Sequence, residues 1–283
     1  MGVAQPKLIM NIDDVGMCHG ANQAYLTLFH AGRCDSGSVM VPCPWFLEIA
    51  EAGAQDPSLQ LGVHLTITAE KLFYRWRPVT APGPDSGLVD QNGFFWRTVP
   101  EVRQRADPQA VERELRAQIE IFLSAGLTPT HLDAHMGAVL APEFAEITIK
   151  LGRDYGIPIL FPRSIDAYGP IHNLGPLDRS FYHARSADLD WAKQILVDRV
   201  LETPWHQEKA AEERYRALFA EIGPGLNFIA LHANAPGEIE AIEPTSAQIR
   251  TDEYAVLRAA VWIDDLPVKR GTLKDFSMAF SAS

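Results

Sequence analysis

Short apolar runs, each ending in a polar or ionisable residue and each followed by a stretch of helical periodicity, recur along this 283-residue chain. Residues 7–12 (KLIMNI) lead into Asp13 and Asp14, residues 36–41 (SGSVMV) form a second run, and residues 59–68 carry His64 near their apolar end. A fourth strand follows at residues 130–135, residues 157–161 lead to Arg163, residues 226–231 (LNFIAL) lead to His232, and residues 269–280 read as a final strand with a short cap. Runs apolar at consecutive positions are how parallel strands covered on both faces are written. Helices are predicted over 21–31, 44–54, 108–125, 142–155, 189–202, 207–222 and 246–262. Two have clear bounds. Asp107 and Pro108 supply an N-cap and a first-turn proline ahead of Val111, Leu115, Ile119 and Phe122, with Gly126 behind, while Pro142 and Gly156 bracket the next helix. The alternation predicts an α/β fold: one domain over 1–283, a TIM-like (β/α) barrel of seven or eight parallel strands. Residues 166–186 read as irregular, and residues 70–100 as a long loop rich in Pro, Gly and aromatics.

In a barrel of this kind the chemistry lies at the C-terminal ends of strands. Asp13, Asp14, His64, His131, Asp133, His135 and His232 all fall there. The stretch Thr130-His131-Leu132-Asp133-Ala134-His135 has the composition of a metal site, and on a strand its two imidazoles and carboxylate share one face. Alone, such a stretch is also how a solvated strand end is written. A catalytic zinc takes three protein ligands and keeps one position open, which Asp14, His64 and His135 fit, leaving Asp133 and His131 to orient ligands. A divalent ion makes water more acidic and draws electron density from a carbonyl. Asp13, beside Asp14, suits the base that takes the water proton, and His232 the acid for a leaving amine. Arg163 is a candidate to hold a carboxylate or orient Asp13, with a structural ion pair as the alternative. Phe73, Tyr74, Trp76, Phe94, Phe95 and Trp96 either anchor the long loop or offer faces to a sugar, with Phe95 and Trp96 the candidates for substrate contact. His19, His30, His172, His183 and His206 have no such company.

With 25 basic and 36 acidic side chains the net charge is −11, and no run of Lys or Arg occurs, which argues against nucleic acid or an anionic membrane as partner. No apolar stretch reaches the roughly 18 residues of a membrane span. Cys18, Cys34 and Cys43 form neither a CxxC pair nor an even set, and residues 1–7 lack the pattern of a signal peptide, so a cytoplasmic protein with free thiols is expected.

Together, Asn11-Ile12-Asp13-Asp14-Val15-Gly16, Leu61-Gly62-Val63-His64, residues 130–135 and Leu231-His232 resemble the YdjC-like carbohydrate deacetylases, the chitooligosaccharide deacetylase group. Residues 86–96, the Glu114 to Gln118 stretch and Gly126 extend the likeness, which runs from residue 7 to about 275. It implies a (β/α) barrel holding one divalent ion, Zn²⁺ first and Mg²⁺ or another as alternatives, on Asp14, His64 and His135. It also implies Asp13 as base, His232 as acid, and a small acetylated sugar as substrate, and it leaves room for a homo-oligomer. The chain departs from the pattern in three places. Val15 replaces a phenylalanine, Met136-Gly137-Ala138-Val139 replaces the histidines that commonly follow the third ligand, and the late H-P-G-type motif reads His232-Ala233-Asn234-Ala235-Pro236-Gly237. Metal-assisted phosphoester hydrolysis, which favours two metals and a basic clamp, and sugar or metal binding without turnover are the competing functions.

Overall fold

The computed structural model describes residues 5–191 and 194–277. The chain runs β1 (Lys7–Val15), α1 (His19–His30), β2 (Ser36–Val39), α2 (Phe46–Gln55), β3 (Leu61–Leu65), α3 (Val99–Arg105), α4 (Pro108–Ser124), β4 (Leu132–Ala134) and α5 (Pro142–Tyr155). It continues through α6 (Arg179–Trp191), β5 (Arg199–Glu202), α7 (Ala211–Ala220), β6 (Leu226–Leu231), α8 (Ile239–Ile242), α9 (Ala247–Ala259), β7 (Lys269–Arg270) and α10 (Leu273–Phe276). Among the described residues seven strands form one sheet, in the order β4-β3-β2-β1-β6-β5, with β7 paired to β1. All its ladders are parallel. Both faces of β1 and β6 are buried beyond Lys7, in keeping with their mostly apolar sequences.

The sheet curls, but the expected barrel of seven or eight regular strands is met only as a continuous path of six. Residues 157–161 are not a regular strand. They lie between the β4 and β5 edges and are tied to them by single bridges, Ile159 to Leu132 and Pro162 to Val197. Pro158 and Pro162 have no N–H, so the segment cannot carry an unbroken ladder on both sides. The helix expected over 189–202 is also corrected: α6 begins earlier, at Arg179, and Arg199–Glu202 is strand β5. Leu189, Ile195, Leu196 and Val200 mimic a helical stripe in the sequence, yet Val200 and Leu201 are both buried, one on each face of a strand. Residues 192–193 of that prediction lie outside the described residues. The last predicted strand shrinks to Lys269–Arg270, because Thr272 and Asp275 form a capping box that starts α10; residues 278–280 lie outside the described residues.

The long loop is held by its own side chains. Trp76 donates Nε1–H to the Thr68 carbonyl, Tyr74 its hydroxyl to Met17 O, and Trp96 Nε1–H to Gly87 O. Phe95 is fully buried, and the Arg105 guanidinium covers the Trp96 ring. Two polar residues of α4 secure the loop from below. Gln118 pairs with both backbone groups of Thr66, and the buried Glu114 carboxylate accepts from Val79 N, Thr80 N, the Thr80 hydroxyl and Gln118 Nε2. Glu114→Ala strands four donors, each costing about 1–3 kcal/mol when left unpaired and partly recovered by relaxation, so a loss of about 3 kcal/mol is expected. Urea unfolding measures it, and amide exchange at Val79 and Thr80 rises with it.

Candidate metal centre and active site

Two neighbouring carboxylates on one strand should point to opposite faces. Asp13 and Asp14 do not, because β1 carries one extra residue there: Ile12 pairs with Gly37 and Val15 with Val39, three steps against two. Asp14 takes the left-handed conformation at φ 62°, costing on the order of 1 kcal/mol in a residue with a Cβ, and the turn brings both carboxylates to His64. His64 Nε2 lies 3.9 Å from Asp13 Oδ2 and 3.7 Å from Asp14 Oδ1. His135 Nδ1 lies 3.2 Å from Asp14 Oδ1. Ligand atoms of Asp14, His64 and His135 all fall within 4.8 Å of one another, and a second group, Asp13, His64 and Asp133, meets the same limit.

Hydrogen bonding distinguishes the two groups. Asp133 is already committed, its Oδ1 to His64 Nδ1 at 2.7 Å and its Oδ2 to the Ser38 hydroxyl. Asp14 Oδ2 is taken by Arg250 Nη1 at 2.8 Å, but Asp14 Oδ1 is buried with no hydrogen-bond partner. Buried carboxylate oxygens left this way are costly unless something else satisfies them. Each histidine has one nitrogen tied back and one directed at that oxygen: His64 through Asp133, and His135 through Glu70 Oε2, 3.0 Å from Nε2. A carboxylate behind each imidazole is how metal-binding histidines are oriented. The orphaned oxygen and two converging imidazoles fit a divalent cation.

Burial raises Asp13, and Asp133 and Asp14 add to it against His64, so its carboxyl is pushed up to about 8. Burial opposes the charge of Asp14 too, but Arg250 and His135 outweigh it and hold Asp14 well below the carboxylate range. Burial disfavours the His135 cation, yet Glu70 and Asp14 raise that imidazole to about 9, so any ion ligated there would have to displace its proton. His232 behaves oppositely. Burial, only partly offset by Asp14 and reinforced by Arg250, pushes it down to about 3. Its Nε2 lies 3.9 Å from Asp13 Oδ2, and Asn11 Nδ2 holds the other Asp13 oxygen at 2.7 Å.

Asp13 and His232 face a pocket of about 290 Å³ whose walls include Tyr168, Asn173, Glu202, Trp205 and Thr245. His131 stays behind it. Fully buried, it contacts Thr130 Oγ1 and lies 3.4 Å from Asp133 Oδ2, and a Cβ at Gly62 would sit 2.5 Å from its ring. Three expected site residues lie elsewhere. Arg163 pairs with Asp198 ahead of β5, at the opposite end of the strands, while Phe95 and Trp96 are absorbed in packing the long loop. His172, given no role from sequence, lines the pocket mouth, 3.8 Å from Glu202.

The YdjC-like protein family model matches residues 7–266. This chain belongs to that family. A carbohydrate deacetylase of Thermus thermophilus is 34% identical over 239 residues, covering 81% of this YdjC-like chain and 78% of that one. Carbohydrate deacetylase 1 of Listeria innocua is 30% identical over 197 residues, 69% and 76% of the two chains, and the match to the Brevibacillus brevis carbohydrate deacetylase, 33% identical, spans 55% and 59%. An Enterococcus faecalis crystal structure described as a cellobiose-phosphate cleavage protein superposes with a TM-score of 0.77 at 21% identity, over 97% of this chain and all of that one, which establishes the shared fold. Sequence reading missed Glu70, Arg250, Thr203 and Glu253. Glu70 lies five residues beyond the end of β3, a position the strand-end rule could have flagged, whereas Arg250 and Glu253 sit inside α9, where charged residues are ordinary.

Proposed function

We propose that this YdjC-like protein is a metal-dependent hydrolase that removes the N-acetyl group from an amino sugar or small acetylated glycoconjugate. The observation that carries the reading is the unpartnered Asp14 Oδ1 facing His64 Nε2 and His135 Nδ1, with the Asp13 and His232 pair beside it on the pocket wall. The relatives named carbohydrate deacetylases support the substrate class. Asp14, His64 and His135 would hold one divalent ion, Zn²⁺ by donor type with Mg²⁺ or another ion as alternatives; when bound it supplies Lewis acidity to the acyl oxygen and acidity to water.

The chain's own residues then move the protons. Asp13 takes the proton of the water that attacks the acetyl carbon, and His232 Nε2 gives one to the nitrogen as the C–N bond breaks, leaving acetate and the free amine. Without a cation the His232 ring is neutral and Asp13 is held protonated. With a cation on Asp14, Asp13 would ionise for its role as base, and the balance closes when the proton it collects passes to Nε2, 3.9 Å away, through a bridging water or the amine itself. Asp133 and Glu70 keep the ligand imidazoles in register. The pocket is at the small end for a ligand site, about 300 Å³ and upward, which suits one sugar ring inside and the rest of a short oligomer outside. Tyr168 and Trp205 offer aromatic faces, and Asn173, Glu202 and Thr245 offer hydroxyl partners. Buried free cysteines at 18, 34 and 43 suit a reducing compartment such as the cytoplasm. Among the described residues no helix is long and apolar enough to cross a membrane.

The test is acetate release from N-acetylglucosamine oligomers by metal-replete protein, expected to stop on chelation and return with Zn²⁺ or another divalent ion. Phosphoester cleavage without acetate release would move the assignment to a phosphoesterase. Tight metal binding with no hydrolysis of either would make the protein a binding relative.

A further inference from the structure

Behind His232, on the side away from Asp13, lies a buried carboxylate that the proton transfers above do not use. Glu253, on α9, is fully buried, as is the adjoining Thr203, which follows β5. Glu253 Oε2 is 2.9 Å from Thr203 Oγ1, the His232 backbone N–H is shared between Glu253 Oε1 and Thr203 Oγ1, the latter at 3.1 Å, and Thr203 Oγ1 lies 2.9 Å from His232 Nδ1. Tyr215 of α7 and Arg250, one turn earlier on α9, are the other titratable groups that face Glu253. We propose that Glu253 is a positioning residue which, through Thr203, fixes the proton of the neutral His232 ring on Nδ1 and leaves Nε2 bare toward Asp13.

Counting protons gives the result. A carboxylate only accepts, so the single hydroxyl proton of Thr203 goes to Glu253. The Thr203 oxygen is then left with two lone pairs, one taking the shared His232 backbone N–H, and the His232 atom opposite the other must be an Nδ1–H donor. Nε2 keeps its lone pair, the one state in which a neutral imidazole can receive a proton from Asp13 and hand it to a leaving amine. The Trp205 indole, whose ring centroid is 4.7 Å away, packs on the His232 ring. Glu253→Gln inverts this order with almost no change of shape. An NH₂ at the position of Oε1 would meet the His232 N–H donor to donor, so the amide oxygen settles there and the NH₂ faces Thr203. Thr203 then turns its proton onto Nδ1, and the ring carries its hydrogen on Nε2.

The functional half of this inference rests on His232 acting as the acid; the tautomer does not. Histidine-labelled, zinc-loaded protein at pH 8.5, above the value of about 7 to which burial raises Glu253, is read by long-range ¹⁵N–¹H correlation, with His232→Ala identifying the signals. Wild type is expected to show Nδ1–H with a bare Nε2, Glu253→Gln the reverse, and Thr203→Ser the wild-type pattern. On an N-acetylglucosamine oligomer, Glu253→Gln is expected to lose about 10- to 100-fold in kcat with KM within about twofold, and Thr203→Ser to retain turnover. If Glu253→Gln does not fold, Thr203→Val decides, since it removes the acceptor and should release the ring into a mixture of tautomers. A wild-type ring protonated on Nε2, or variants that leave the tautomer unchanged, overturns the proposal. Absence of acetate release by wild type with the Nδ1–H tautomer in place would sink the deacetylase reading and leave the positioning intact.

Discussion

Asp13→Asn is expected to lower kcat for acetate release about 10³-fold or more while the protein keeps its metal. The range for a general base is about 10²- to 10⁴-fold, and Asp13 sits at its upper half because it is asked both to collect the water proton and to pass it toward His232. Asparagine keeps the volume and still accepts from Asn11 Nδ2, but it has no site for a proton. A second, thermodynamic readout separates this from a fold defect. Burial raises the Asp13 carboxyl from 3.8 to about 8, so between those values the folded state binds a proton that the unfolded state has released. Stability therefore falls as pH rises through that window, and the loss is complete above about 8. Chelated Asp13→Asn should melt above chelated wild type, with a gap that widens from about pH 4 to about pH 8. An inactive variant that is also less stable throughout would mean the substitution damaged the fold. Full activity would remove Asp13 from the reaction.

The gain in stability on losing a charge connects the fold to the chemistry. An extra residue in β1 and a left-handed Asp14 bring two carboxylates side by side, with Asp133 close behind, an arrangement that favours a bound cation more than it favours the bare fold. Arg250 offsets part of the charge by taking Asp14 Oδ2, and its opposite oxygen is left for the site.

Where local signals are strong, the sequence is legible to the residue. Pro142 at the first turn and Gly156 in the left-handed C′ position bound α5 as expected, and the run 226–231, apolar but for Asn227, is β6. Arg199–Glu202 is not legible, because four residues with charged ends carry too little pattern to outweigh the helical spacing around them. The site shows the same division. His64, His135, Asp14 and His232 could be placed at strand ends because parallel sheets concentrate chemistry there. Pairings that depend on tertiary approach left no local trace. Glu253 reaches back 50 positions to Thr203, and Arg250 reaches 236 to Asp14. Phe95 and Trp96 carried two readings, anchors of the loop or faces for a sugar, and the loop uses both rings to hold itself.

His135→Ala is expected to empty the metal centre. On the proposed assignment it removes one of three ligands, so the loss in affinity should exceed the about 10- to 100-fold typical of changes to groups that only orient a ligand. The local charge argues in the same direction. His135 stands between Asp14 and Glu70, and without it Asp14 Oδ1 retains only His64 Nε2 at 3.7 Å, while Glu70 falls back on Lys71 Nζ at 2.9 Å. Two buried carboxylates then lose their shared partner, and lost turnover should be accompanied by a lower Tm. Elemental analysis of purified protein reads the metal, and zinc titration of chelated protein reads the affinity. His232→Ala is the control, since its ring faces Asp13 and Thr203 and should leave the metal in place. A His135→Ala protein that purifies metal-replete would transfer the centre to the overlapping group of Asp13, His64 and Asp133, whose second imidazole partner, His131, lies on the far side of Asp133. In that arrangement Asp13 would be a ligand and could not also serve as the base, so this one measurement bears on the metal site and the proton path together.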